Sequence, residues 1–189
     1  MIEAIENIKV KAFFELPTEV LLSQYCVLRM LKQKNTHGNI SVKSVELLPY
    51  GLVVNLRKVY IEQTAELIIT AIEEVFKIDA PEQMKMDILD YFPLVNFILA
   101  GTEKIVEMEK RMLQTPSKPE LEAAGVEDLQ KYGELITIDN LSGGDILRHH
   151  EIEQLPWRKV FTKLCLEKDK AEVQERYAEI IKSKQTQTQ

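Results

Sequence analysis

Glycine and proline are scarce, with seven of each in 189 residues. A sandwich or barrel of many short strands needs tight turns throughout, so an all-β architecture is disfavoured. Cysteine is scarcer still. Cys26 and Cys165 both lie among apolar neighbours in helix-like segments, where free thiols pack as small hydrophobes, so they are read as buried thiols and not as a disulfide. The most lipid-like run, residues 92–101, is interrupted by Asn96 and reaches only about half of the ~20 residues a membrane span needs. The opening MIEAIENIKV has neither a basic region nor a long apolar stretch, so no secretory signal is expected and the cytoplasm is the expected compartment. Acidic residues outnumber basic ones 30 to 24, a formal charge of −6. That balance argues against a protein built to grip a phosphate backbone. At 45% hydrophobic, the chain is too apolar to be disordered.

The common chemical motifs are missing as well. The sequence contains no G-x-G-x-x-G and no G-x-x-x-x-G-K-[ST], hence no common nucleotide cradle. Gly143-Gly144 precedes a helix, but Asp145 stands at its cap with no lysine nearby, and a phosphate would be repelled. His150-Glu151-Ile152-Glu153-Gln154 begins like a zinc-protease helix and ends in Gln where the second ligand belongs. His149 and His150 would point about 100° apart on a helix, which suits surface histidines better than a metal pair. No G-x-S-x-G elbow occurs, and no histidine lies near either cysteine in sequence. Glu73-Glu74 reads as a solvated face. Trp157 beside Arg158 and Lys159 reads as a core anchor, because Phe161 and Leu164 continue its stripe. No catalytic residue, cofactor or metal is expected. A site assembled in space around Cys165 or His149 is the enzymatic alternative.

What the chain does contain is helical periodicity. Residues 8–14 (IKVKAFF) alternate like a short strand. Leu16-Pro17-Thr18-Glu19 starts a helix whose residues Val20, Leu21, Leu22, Tyr25, Cys26, Val27, Leu28, Met30 and Leu31 are apolar nearly all round, predicting a central, well-buried element. Residues 35–39 read as a loop. The runs 45–48 and 52–54, around Pro49-Tyr50-Gly51, read as a hairpin. From about Lys58 the period turns helical, with Ile61, Ala65, Ile68, Ile72 and Val75 on one face. Asp79 is expected to cap a helix carrying Pro81 in its first turn. Pro93 is expected to interrupt that helix. A second stripe then follows through Leu94, Ile98, Gly101, Ile105, Met108 and Met112, with Gly101 allowing another backbone close; Glu103, Glu107 and Arg111 lie opposite. Residues 114–119 (QTPSKP) read as a linker. The expected organisation is an α+β part over 1–114, a helical part over 120–184 and a polar tail over 185–189.

In the C-terminal part, Ser142-Gly143-Gly144-Asp145 is a break followed by an N-cap, opening a short helix through His149 and His150. Leu155-Pro156-Trp157 starts the longest helical pattern. At about 100° per residue, Trp157, Val160, Phe161, Leu164 and Ala171 gather on one side. Leu166, Val173, Tyr177, Ile180 and Ile181 gather on the opposite side. One straight helix packed on one core cannot bury both. Either the helix breaks near Lys168 and bends around its own domain, or its second half meets a partner or sister subunit, or that half is disordered. The second stripe is accordingly the candidate partner-binding surface.

The segments Gly143-Gly144-Asp145-Ile146 and Glu153-Gln154-Leu155-Pro156-Trp157-Arg158-Lys159-Val160-Phe161, followed by a charged helix with Glu167-Lys168 and Glu175-Arg176-Tyr177, resemble the C-terminal ends of small bacteriophage assembly proteins. The tail assembly chaperones of the head-to-tail gene block are the nearest of these in pattern. The resemblance covers about a quarter of the chain. It implies a non-enzymatic protein, a transient chaperone or a neck or tail component, that binds virion components or sister subunits through helical surfaces, without nucleic acid or membrane. It would act in the host cytoplasm or become part of the virion, with a homo-oligomer as one form. A cytoplasmic helical adaptor or regulatory module is the alternative. The expected fold is mainly α, α+β in detail: a helical bundle with a short N-terminal hairpin or small sheet and a long C-terminal helix.

Overall fold

The computed structural model describes residues 8–114 and 119–186. The chain is mainly α, with one two-stranded antiparallel sheet and a long C-terminal helix. The elements are α1 (Val10–Phe14), α2 (Thr18–Leu28), β1 (Thr36–His37), β2 (Ile40–Ser41), α3 (Tyr50–Glu62), α4 (Ala65–Phe76), α5 (Ala80–Gln83), α6 (Ile88–Leu113), α7 (Pro119–Ala123), α8 (Leu135–Ser142), α9 (His149–Gln154) and α10 (Trp157–Thr186). Two compact units divide after Val106, within α6. Of the linker expected over 114–119, residues 115–118 lie outside the described residues.

The first unit owes its core to amphipathic helices. On α4 Ile68, Ile72, Val75 and Phe76 are buried, and α3 adds Val53, Leu56 and Val59. Thr64 caps α4 by accepting the Leu67 N–H. The helical period was expected from Lys58, but α3 begins at Tyr50 and ends at Glu62, so Ile61 stands exposed outside the core stripe. Asp79 caps α5 through the Glu82 N–H (2.8 Å) with Pro81 in the first turn, as the sequence predicts. The interruption expected at Pro93 does not occur. Pro93 falls in the second turn of a continuous α6, and its carbonyl accepts the Lys34 N–H (2.9 Å). Asn96, the polar break in the apolar run, is buried. Its amide donates to the carbonyls of Leu28 (2.9 Å) and Leu31 (3.0 Å), and its oxygen accepts from Arg29 (2.9 Å), which ties off the end of α2.

Three further expectations are corrected. Residues 8–14 are not a strand. Lys9 makes one antiparallel bridge with Asp87, and the chain turns helical at Val10, because Val10 and Phe13, three apart, both bury. Phe13 and Tyr25 meet Phe92 edge-on, with centroids 5.5 and 5.6 Å away. The hairpin lies at residues 36–41, where a loop was expected, with Thr36 paired to Ser41 and His37 to Ile40. The segment expected to form it is a 3-10 turn, Val45–Leu47, followed by the first turn of α3, with Pro49 at the N-cap. Third, α2 is not central. Only Leu28 is buried, while Val20, Leu22 and Met30 are exposed.

Gly101 does permit a close approach, by a side chain and not a backbone. A Cβ there would meet Val45 Cγ2 at 2.3 Å, so the α6 stripe accepts Val45 into a notch only glycine leaves open. Leu94, Ile98 and Ile105 of that stripe are buried. Met108 is half-buried and Met112 exposed.

The second unit has far less core. Its buried apolar side chains among the described residues are Ile138, Ile152, Trp157 and Val160. Gly143 and Gly144 both take positive φ (+73° and +80°), ending α8 in a conformation costly for any residue with a Cβ. Asp145 then accepts the Leu147 N–H (3.0 Å), opening a 3-10 turn that leads into α9.

Candidate interaction surface

The start of α10 is pinned by Trp157. Its ring is 1% exposed and stacks on Phe161 at 4.7 Å, and its indole N–H donates to Glu109 (2.8 Å). Val160 is buried beside it, and Phe161 and Leu164 are half-buried. Three turns on, the Lys168 ammonium donates to the carbonyls of Met112 (2.9 Å) and Gln114 (3.1 Å). These lie at the end of α6, where unpaired carbonyls and the helix dipole both favour a cation. The predicted core stripe thus holds from Trp157 to Leu164, and Ala171 is exposed.

Beyond Lys168 the helix continues without a break to Thr186, into the expected polar tail; residues 187–189 lie outside the described residues. Every residue over 171–184 is exposed. Leu166, Val173, Tyr177, Ile180 and Ile181 share an arc of about 100° and are between 36% and 66% exposed. The structure therefore brings the five predicted residues onto one face, and nothing among the described residues covers it.

Several neighbours on that face do not show in a search for apolar residues. Lys170 and Lys184 fall inside the arc, and Asp169 and Arg176 flank it on one side by the same helical arithmetic. On the other flank Glu167 accepts hydrogen bonds from Lys163 and Lys170, which hold its carboxyl below the usual range. Spacings of three and four counted over all residue types, not apolar ones alone, would have found these positions.

The residues weighed for chemistry are dispersed. Cys26 is exposed and Cys165 half-buried, correcting the expectation of two buried thiols; all-round apolar neighbours in sequence did not translate into burial on α2. Desolvation first, and then Asp169, push the Cys165 thiol up, so it stays protonated at neutral pH and is a poor nucleophile. His149 lies 3.2 Å from Asp139 and His150 3.7 Å from Glu153. Among the described residues no three His, Cys, Asp or Glu side chains are grouped to hold a metal, and no helix is long and apolar enough to cross a membrane. Comparison with protein families, with curated proteins and with solved structures finds no match for this chain.

Proposed function

We propose that the protein is a non-enzymatic assembly protein of a bacteriophage, a tail assembly chaperone or a neck or tail component, that binds other proteins through the distal face of α10. One observation carries the binding role: a continuous helix that is exposed on every side over residues 171–184 yet bears Val173, Tyr177, Ile180 and Ile181, with Leu166 before them, on one face. Large apolar side chains grouped on a surface mark an interaction site more often than chance exposure does. Helix-in-groove recognition uses anchors at this three-and-four spacing. The viral setting rests on the resemblance of the segments around Leu155-Pro156-Trp157 to phage assembly proteins.

The test is affinity capture of the tagged protein from infected cells, comparing wild type with Tyr177→Asp/Ile181→Asp by mass spectrometry. Virion proteins recovered with wild type and lost with the double variant are the expected result. Equal recovery with both would move the binding surface off α10. Presence at fixed copy number in purified particles would mark a structural component, and absence a chaperone.

A further inference from the structure

The face of α10 has more order than exposure alone requires. Leu166, Val173 and Ile180 recur every seven residues, and Lys170, Tyr177 and Lys184 fall between and after them, so that the spacing alternates four and three throughout. That is the four-and-three spacing of a coiled-coil seam, with lysine at two of its six positions. The charge on this stretch is also unlike that of the chain. Over residues 166–184, Glu167, Asp169, Glu172, Glu175 and Glu179 balance Lys168, Lys170, Arg176, Lys182 and Lys184, whereas the whole chain carries −6. Two copies would repel through most of their surface but not along this helix.

We propose that the distal half of α10 pairs with the same helix of a second copy, antiparallel, making the protein a dimer. This deepens the binding role proposed above by naming the occupant of the face, and it rests on that role. Parallel pairing is disfavoured by charge. It sets Lys170 against Lys170 and Lys184 against Lys184 of the second copy, inside the seam where water is displaced. Antiparallel pairing removes the Lys170 clash and moves Lys184 to the exposed end of the pair, opposite Lys159 of the second copy. With Leu166 opposite Tyr177 of the second copy, Val173 comes opposite Lys170, whose methylene stem covers apolar surface while its ammonium reaches water. Asp169 and Arg176, on the same flank of the seam, then face each other across the two-fold axis. The isologous symmetry repeats that pair, so each dimer contains it twice. The flank is complementary to itself only when one helix is reversed.

The dimer is tested by sedimentation equilibrium of the full chain over a concentration series. Asp169→Arg and Arg176→Asp are each expected to weaken the dimer about tenfold, since each turns two attractions into two repulsions at exposed positions. The exchange Asp169→Arg/Arg176→Asp is expected to restore the wild-type constant. Circular dichroism of each variant checks that the helix remains. A wild type that stays monomeric overturns the proposal, as does a dimer indifferent to both single reversals. The two readings part cleanly. Monomeric wild type that still captures virion proteins through Tyr177 and Ile181 removes self-pairing and leaves the assembly role. A charge-sensitive dimer that captures none leaves self-pairing and removes the assembly role.

Discussion

Helix α4 and the distal half of α10 carry similar apolar patterns and meet opposite fates. On α4, Ile68, Ile72, Val75 and Phe76 are within a few per cent of full burial, because α3 packs against that face. On α10, Val173, Tyr177, Ile180 and Ile181 have nothing in the described chain to cover them. An apolar stripe therefore states that a helix face wants a neighbour, not that its own chain supplies one. The two units repeat the contrast on a larger scale. The first unit buries side chains from α1 through α6, while the second buries four apolar side chains among the described residues. The stability of the second unit is accordingly concentrated in few side chains, whereas the apolar face of α10 past Lys168 is uncovered among the described residues.

That concentration gives the largest expected effect. Trp157→Ala removes the ring that stacks on Phe161 and donates to Glu109, and should destabilise the second unit by about 3–5 kcal/mol. Loss of helical signal on urea titration checks it, read on the full chain because α6 crosses the division between the units. If Trp157→Ala costs no more than a surface substitution, the proximal half of α10 is as unsupported as the distal half and the contrast collapses.

Within the first unit the corresponding device is a notch. Gly101→Ala should destabilise by roughly 1–3 kcal/mol through overpacking against Val45, although alanine favours the helix by about 1 kcal/mol. Adding Val45→Ala should recover part of the loss, since the clash at 2.3 Å is with the Val45 methyl. Additive costs for the two changes would show that they do not share one space.

A smaller effect distinguishes the buried hydroxyl of Tyr91, which donates to Gln83 (3.2 Å), while the Gln83 amide donates to the carbonyls of Ile69 and Ile78. Tyr91→Phe should cost about 0.5–1.5 kcal/mol at neutral pH. Burial raises the Tyr91 pKa well above its ordinary value of 10.0. The neutral phenol is therefore favoured by folding; its contribution is whole below the unfolded pKa and is lost as pH rises past about 10. Wild type should lose stability more steeply than Tyr91→Phe across that alkaline range, as equilibrium unfolding at stepped pH would record.

The elements legible in the sequence are those set by local chemistry. Asp79 with Pro81, Pro17 before Thr18, Asp145 after two glycines, and Pro156 before Trp157 all mark helix starts that the structure contains, because caps act over three or four residues and need no tertiary partner. The errors lie where tertiary packing decides. Alternation in residues 8–14 lost to the burial of Val10 and Phe13 on one helical side. Pro49-Tyr50-Gly51 reads equally as a turn or as a helix start, and the bundle took it as the latter. On α2 an apolar surface nearly all round gave no direction to bury, and only Leu28 found the core. The exposed face of α10 was legible because its two stripes point in opposite directions, a contradiction visible without any structure. Its charged positions do not show when apolar residues alone are counted, although Lys170 keeps the same three-and-four spacing and Asp169 and Arg176 flank it.

The smallest expected effect carries the most weight. Val173→Glu, Tyr177→Glu and Ile180→Glu, singly or together, replace side chains that are more than half exposed, so little buried area is lost with them. Glutamate is also a better helix former than valine, tyrosine or isoleucine. Each single change should move the unfolding free energy by less than about 0.5 kcal/mol, the range of ordinary surface substitutions. The comparable substitution Ile72→Glu on α4 buries a carboxylate without a partner and should prevent that unit from folding. Measured on dilute protein, where association contributes nothing, near-zero values at the three α10 positions would assign their apolar character to contacts outside the chain. A loss of several kcal/mol at Tyr177 would return that face to the protein's own core.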